Sequence, residues 1–172
     1  MPLNHTSPYA ELTEQQYAAL GRIVVEWSNI ERLLGFMLSR LLCTPEFLGR
    51  TFSQGLSAVR LQQAIDEAVE VHRVRYRAQR VPESTLQSIE ALNSRVTALR
   101  AERNKISHFS WVRSNDEEMF GTAFAGGVPT PRRTRRTERS LSAKELTALH
   151  KEAYGLTEEL MRVVESLPKV NE

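Results

Sequence analysis

The chain has 172 residues, a formal net charge of +2 and one cysteine, Cys43. That length suits a single domain with its own core, and a lone cysteine allows neither an intrachain disulfide nor a thiolate metal cluster. No apolar run approaches the roughly 18 residues of a membrane span, and "MPLNHTSPYAELTEQQ" has no basic stretch followed by an apolar one, so neither a membrane anchor nor a signal peptide is expected and the expected location is cytoplasmic.

In chain order, four helical segments stand out. The first begins at "TEQQ", a capping box with Thr13 as N-cap and Gln16 three residues on. Tyr17, Leu20, Val24, Trp27, Leu34, Leu38 and Leu41 follow at three- and four-residue spacing, and Ile23, Ile30 and Met37 add a second face. An apolar arc this wide predicts a central helix, ended at "CTPEF" because Pro45 disfavours helix in the residue before it. The second helix starts near Ser57, with Ala58, Leu61, Ile65, Ala68 and His72 on one stripe. His72 reads as a satisfied core or edge histidine, since no second ligand is spaced to join it in a metal site.

The third helix starts after Pro82, with "STLQ" at 84–87 as a second capping box. Leu86, Ile89, Leu92, Val96, Leu99 and Ile106 mark its buried stripe. The fourth begins at "SAKE", 142–145, a third capping box. Leu146, Leu149, Ala153, Leu156, Leu160, Val163 and Leu167 give it the stripe of antiparallel bundle packing, and Pro168 closes it. Between the last two helices, at about 110–140, lie Gly126-Gly127, two prolines and short β-prone pieces, which predict a β-hairpin or loop insertion. The fold expected is all-α: an up-and-down four-helix bundle, one domain over 1–172, with that insertion before the last helix.

The end of the third helix, "AERNKISHFSW", carries the chemistry. Continuing the buried stripe from 99 reaches 103, and that residue is Arg103. An arginine on a core stripe either faces a carboxylate, a phosphate or a cleft, or snorkels to water at the bundle end. Arg100, Asn104 and His108 stand four apart on a neighbouring polar stripe. A histidine in a last turn suits the helix dipole with no further role; the joint spacing of the group is what suggests a site. Glu31, at the edge of the first helix's apolar arc, either pairs with Arg103 or Arg100 or lies exposed on the helix flank.

"RNKISH" at 103–108 resembles the Arg-x4-6-His motif of HEPN domains, with a polar Asn after the Arg and a position at the end of the third of four helices. "VVEWSNIERLLGFML" is similar to the opening helix of such bundles. Where many members place Gly after the His, this chain has Phe109. The resemblance implies a metal-independent endoribonuclease without cofactor, working as a homodimer that brings two motifs into one cleft. It implies Arg103, Asn104 and His108 as catalytic residues; Arg100 and Glu31, from their places on the polar stripe and at the edge of the first helix's apolar arc, are expected in support. His108 would take the proton from a ribose 2′-OH or protonate the leaving oxygen, a task suited to an imidazole. Arg103 would hold the scissile phosphate, and Asn104 would orient the phosphate or the imidazole. The setting implied is toxin–antitoxin or anti-phage defence, with an antitoxin or other protein partner.

The small net charge does not by itself announce a nucleic acid. Arginine nevertheless outnumbers lysine 19 to 4, and its planar fork suits phosphate better than an ammonium does. Two stretches concentrate it. "HRVRYRAQR" offers Arg73, Arg75, Arg77 and Arg80 around Tyr76, a possible stacking ring, and "RRTRRTER" offers Arg132, Arg133, Arg135 and Arg136. Each either tracks an RNA backbone or is a solvated surface run. Two further readings of the chain stay open: a non-catalytic HEPN module that binds nucleic acid, nucleotide or a protein, and a plain structural bundle whose Arg and His cap the third helix.

Overall fold

The computed structural model describes residues 10–75, 80–123 and 137–170. Among them the chain is mostly helical, with five helices and a three-stranded sheet. No described helix is long and apolar enough to cross a membrane.

Helix α1 spans Glu14–Leu41. Its start is the capping box read from the sequence: Thr13 N–H donates to Gln16 Oε1 at 2.9 Å, and Gln16 N–H donates to Thr13 Oγ1 at 3.2 Å. The buried seam runs through Ile23, Trp27, Ile30, Leu34, Met37 and Leu41. Tyr17 and Val24, expected on the apolar arc, are exposed. The helix ends in paired bonds, Thr44 N–H to the Ser39 carbonyl and Cys43 N–H to the Arg40 carbonyl, both 3.1 Å. This reverse turn needs a left-handed residue after the helix, and Cys43, at φ 50°, takes that place.

Helix α2, Glu46–Ser53, was not anticipated. Its two turns carry Phe47, Leu48 and Phe52, all exposed, and eight residues are too few for a sustained periodic signal. Gly49 lets it approach α1: a Cβ there would stand 1.7 Å from Ser39 Oγ. Helix α3, Ala58–Arg75, starts where Ser57 Oγ accepts from Arg60 N–H at 3.4 Å, and its expected stripe of Ala58, Leu61, Ile65, Ala68 and His72 is buried throughout. Helix α4 spans Glu83–His108. It begins directly after Pro82, so Ser84 lies inside the first turn and does not cap it. Helix α5, Ala143–Ser166, has the expected capping box, with Ser142 N–H donating to Glu145 Oε2 at 2.8 Å and Glu145 N–H to Ser142 Oγ at 3.2 Å. The Ser142 backbone N–H holds the Glu145 carboxyl below its ordinary value, with help from the hydroxyl.

The segment between α4 and α5 forms an antiparallel sheet in the order β1-β2-β3, with β1 Ser110–Arg113, β2 Glu118–Ala123 and β3 Thr137–Ser142. Trp111 pairs with Gly121, and Met119 with Leu141. The hairpin expectation therefore holds for β1 and β2; a third strand joins them and runs straight into α5.

The chain divides into two compact units, each with part of α1, α4 and α5. One comprises the residues up to Val25 and Arg100–Glu152. Its core joins Leu12, Ile23, Ile106, Trp111, Met119 and Leu141. Gln16, buried at the start of α1, uses its amide Nε2 to reach the Asn115 and Glu118 carbonyls of the β1–β2 turn at 3.0 and 3.2 Å. The Phe109 and Trp111 rings stack, centroids 5.7 Å apart, over Gly121. A Cβ there would lie 2.6 Å from the Trp111 ring and 2.9 Å from that of Phe109. Gly121→Ala is therefore expected to destabilise by about 1–3 kcal/mol through overpacking, read as a lower urea midpoint.

The other unit comprises Glu26–Leu99 and Ala153–Glu172. Buried amides fix α3 against α4: Gln62 Nε2 donates to the Asn93 carbonyl and to Thr97 Oγ1, both at 2.8 Å, and Asn93 Nδ2 donates to Asp66 Oδ1 at 2.7 Å. His72, 1% exposed, donates from Nε2 to the Leu41 carbonyl at 2.8 Å. It is a core histidine, as its stripe suggested, with Nε2 engaged by a backbone carbonyl.

Candidate functional site

The motif occupies the last turns of α4, and His108 is the helix's final residue. Asn104 and His108 are exposed, while Arg100 and Arg103 are half-buried. At about 100° per residue, His108 stands roughly 140° around the helix from Arg103, with Asn104 between them. Asn104 links the two faces, because its Oδ1 accepts from Arg103 Nη1 at 3.2 Å. The Arg103 Nε is shut off from solvent, which fits a side chain rooted in the buried stripe with its fork turned outward. The guanidinium is thus held at its stem and directed at its tip.

The helix end is clamped from the sheet. Helix C-termini leave carbonyls without helical partners, and here the Trp111 indole Nε1 donates to the Ile106 carbonyl at 2.8 Å. Phe109 N–H continues the helical pattern to the Lys105 carbonyl at 3.0 Å. Phe109, the residue directly after His108, is part of the aromatic stack on Gly121. It thereby anchors the chain as it leaves His108.

A second support was not read from the sequence. Glu102 accepts from Lys105 Nζ at 2.6 Å and also pairs with Arg139 of β3. The Glu102–Lys105 pair has ordinary helical spacing, but the Arg139 partner lies 37 residues away in sequence and no local pattern signals it. Burial pushes the Glu102 carboxyl up, yet the hydrogen bonds from Lys105 and Arg139 outweigh it and hold it below its ordinary value. A carboxyl lower in the folded than in the unfolded chain stabilises above the unfolded value, about 4.3, and loses that contribution as pH falls through the folded one. Urea midpoints are thus expected to fall below about pH 4, and Glu102→Gln should flatten that acid limb.

Of the other candidate residues, Glu31 belongs to the second unit, where it lines a cleft with Arg32, Arg50 and Ser53. Arg73 is the centre of a carboxylate cluster: it reaches Glu70 at 2.9 Å, Glu83 at 2.9 Å and Glu90 at 2.8 Å. Hydrogen bonds to Glu90 and Glu83 raise its already high pKa further, so this fork is engaged within the protein. Arg75 and Arg80 are exposed. Tyr76 and Arg77, with Arg132, Arg133, Arg135 and Arg136, lie outside the described residues. Among the described residues, no three His, Cys, Asp or Glu side chains form a group that could hold a metal ion.

No protein-family model, no curated protein and no solved structure matches the chain. Its functional reading rests on the motif and on the geometry around it.

Proposed function

We propose that this chain is a metal-independent endoribonuclease of HEPN type, active as a homodimer whose two Arg103–Asn104–His108 sets share one cleft. In this reading α1, α3, α4 and α5 are the four helices of an up-and-down bundle in a single domain, and α2 is an addition to the first connection. The observation that carries the proposal is the arrangement at the end of α4. An arginine rooted in the buried stripe is hydrogen-bonded to an exposed asparagine, one turn from an exposed histidine, on a helix end fixed by an indole N–H.

The chemistry follows from the groups. The imidazole of one His108 accepts the proton of a ribose 2′-OH as that oxygen attacks phosphorus. The bond from phosphorus to the 5′ oxygen breaks, and the partner protomer's imidazolium supplies the proton to the leaving oxygen. The products carry a 2′,3′-cyclic phosphate and a 5′-hydroxyl. Arg103 offsets the charge that grows on the phosphoryl oxygens, and Asn104 sets the angle of its fork. A C2 axis near the helix ends makes one cleft from two half-sites. RNA is the substrate because DNA lacks the attacking hydroxyl, and defence against phage or a toxin–antitoxin pair is the setting in which such an activity would serve.

The test is cleavage of mixed RNA by the purified protein in EDTA, alongside its mass in solution. Cleavage by a dimer is the expected result. A strict monomer, or a protein that binds RNA without cutting it, would favour a non-catalytic module.

A further inference from the structure

Within the second unit, α1 and α2 enclose an open cleft of about 280 Å³. Arg32 on α1 and Arg50 on α2 both line it, and both guanidiniums lie over the ring of Phe36, at 5.5 and 5.1 Å from its centroid. Neither is ion-paired with a carboxylate among the described residues. This sets them apart from Arg40, Arg73, Arg95, Arg113 and Arg139, which all have a carboxylate partner.

A guanidinium over an aromatic ring is held by cation–π attraction. That attraction uses no N–H donor, so the hydrogen-bonding fork of each arginine stays unspent. Both cations line the one cleft, so an anion seated there is attracted by both. Glu31 is the single carboxylate of the lining, so the two guanidiniums leave the cleft cationic. Gln54 and Ser53 add polar atoms, and Leu56 and Leu61 give it an apolar wall. The volume lies just below the usual range for small-molecule sites, which suits a ligand of about a dozen heavy atoms.

The geometry points to a binding site for a small phosphate monoester in this cleft, with Arg32 and Arg50 as a paired guanidinium clamp on the phosphate. Forked donors match phosphate oxygens two at a time; Glu31 and Gln54 accept from hydroxyls on the organic part. The proposal does not depend on the ribonuclease reading.

Titration calorimetry on the full chain tests it, with ribose 5-phosphate, inorganic phosphate and ribose as probes. Ribose 5-phosphate should bind with one site per chain, more tightly than inorganic phosphate, and ribose should give no saturable heat. Arg32→Ala and Arg50→Ala should each weaken ribose 5-phosphate binding at least tenfold. Both side chains are exposed, so thermal midpoints should stay near that of the wild type. If an alanine variant unfolds, Arg32→Lys and Arg50→Lys keep stem and charge without the fork, and each should still weaken binding at least threefold. No saturable binding of either phosphate probe, or variants that bind like the wild type, would overturn the site. Ribose 5-phosphate binding no tighter than inorganic phosphate would overturn the assignment to an ester.

Discussion

Replacing His108 by alanine should reduce RNA cleavage by about 10² to 10⁴, the usual contribution of a positioned acid or base, and leave the fold unchanged. The side chain is exposed at the end of α4, so its loss opens no cavity. The turn that carries it is held by groups the substitution does not touch, the Trp111 indole on the Ile106 carbonyl and the Phe109–Trp111 stack. Equal urea midpoints for the two proteins, with cleavage followed on one labelled RNA, separate lost chemistry from lost structure. A variant as active as the wild type would remove His108 from the reaction. Arg103→Ala should lose activity too, but with some loss of stability, because its stem continues the buried stripe and its Nε is shut off from solvent.

Trp111→Ala should have the largest effect on stability, roughly 3–5 kcal/mol, the range for truncating a buried large aromatic. Trp111 is 8% exposed and belongs to the core cluster with Ile106, Met119 and Leu141. Its removal takes away the stacking partner of Phe109 and leaves the Ile106 carbonyl without its indole donor. Trp111→Phe keeps most of the apolar area but loses the N–H and part of the ring system, so it should cost about 1–3 kcal/mol, the range for leaving a buried acceptor without its donor. Where Trp111→Phe remains folded, its cleavage rate reports on positioning: a freer helix end should lower activity although no reacting group has changed. Urea unfolding of both variants and cleavage by the folded one measure these effects.

Much of the helical layout is readable in the sequence, for local reasons. The capping boxes at Thr13–Gln16 and Ser142–Glu145 satisfy backbone donors within four residues, and both form. The stripe from Ala58 to His72 is buried as its spacing implies. Arg103, on the extension of the α4 stripe, is half-buried with an enclosed stem. Misses occur where non-local packing decides. Ser84 has the pattern of a cap, but Pro82 starts the helix ahead of it. Helix α2 is only eight residues long and keeps Phe47, Leu48 and Phe52 exposed; it is placed by Gly49 against Ser39. The third strand pairs Met119 with Leu141 across 22 positions of chain, beyond the reach of a turn signal.

At the site, the motif's residues and their spacing are local and can be read directly. Their supports, Trp111 through Gly121 and Glu102 through Arg139, come from the sheet. Arg73 shows the converse: a basic run suggests a phosphate grip, yet the helix neighbours Glu70, Glu83 and Glu90 take up that arginine.

In the proposed reaction the 2′-hydroxyl of RNA is the nucleophile and the motif on α4 drives its attack. The most direct measurement uses an oligonucleotide cut by the wild-type protein at a mapped site, compared with the same strand carrying one 2′-deoxy residue immediately 5′ of the scissile phosphate. The all-RNA product should carry a 2′,3′-cyclic phosphate, formed in EDTA, and the deoxy strand should not be cut at that position. Cleavage of the deoxy strand at the same position, or an all-RNA product ending in a 3′-hydroxyl, would contradict it.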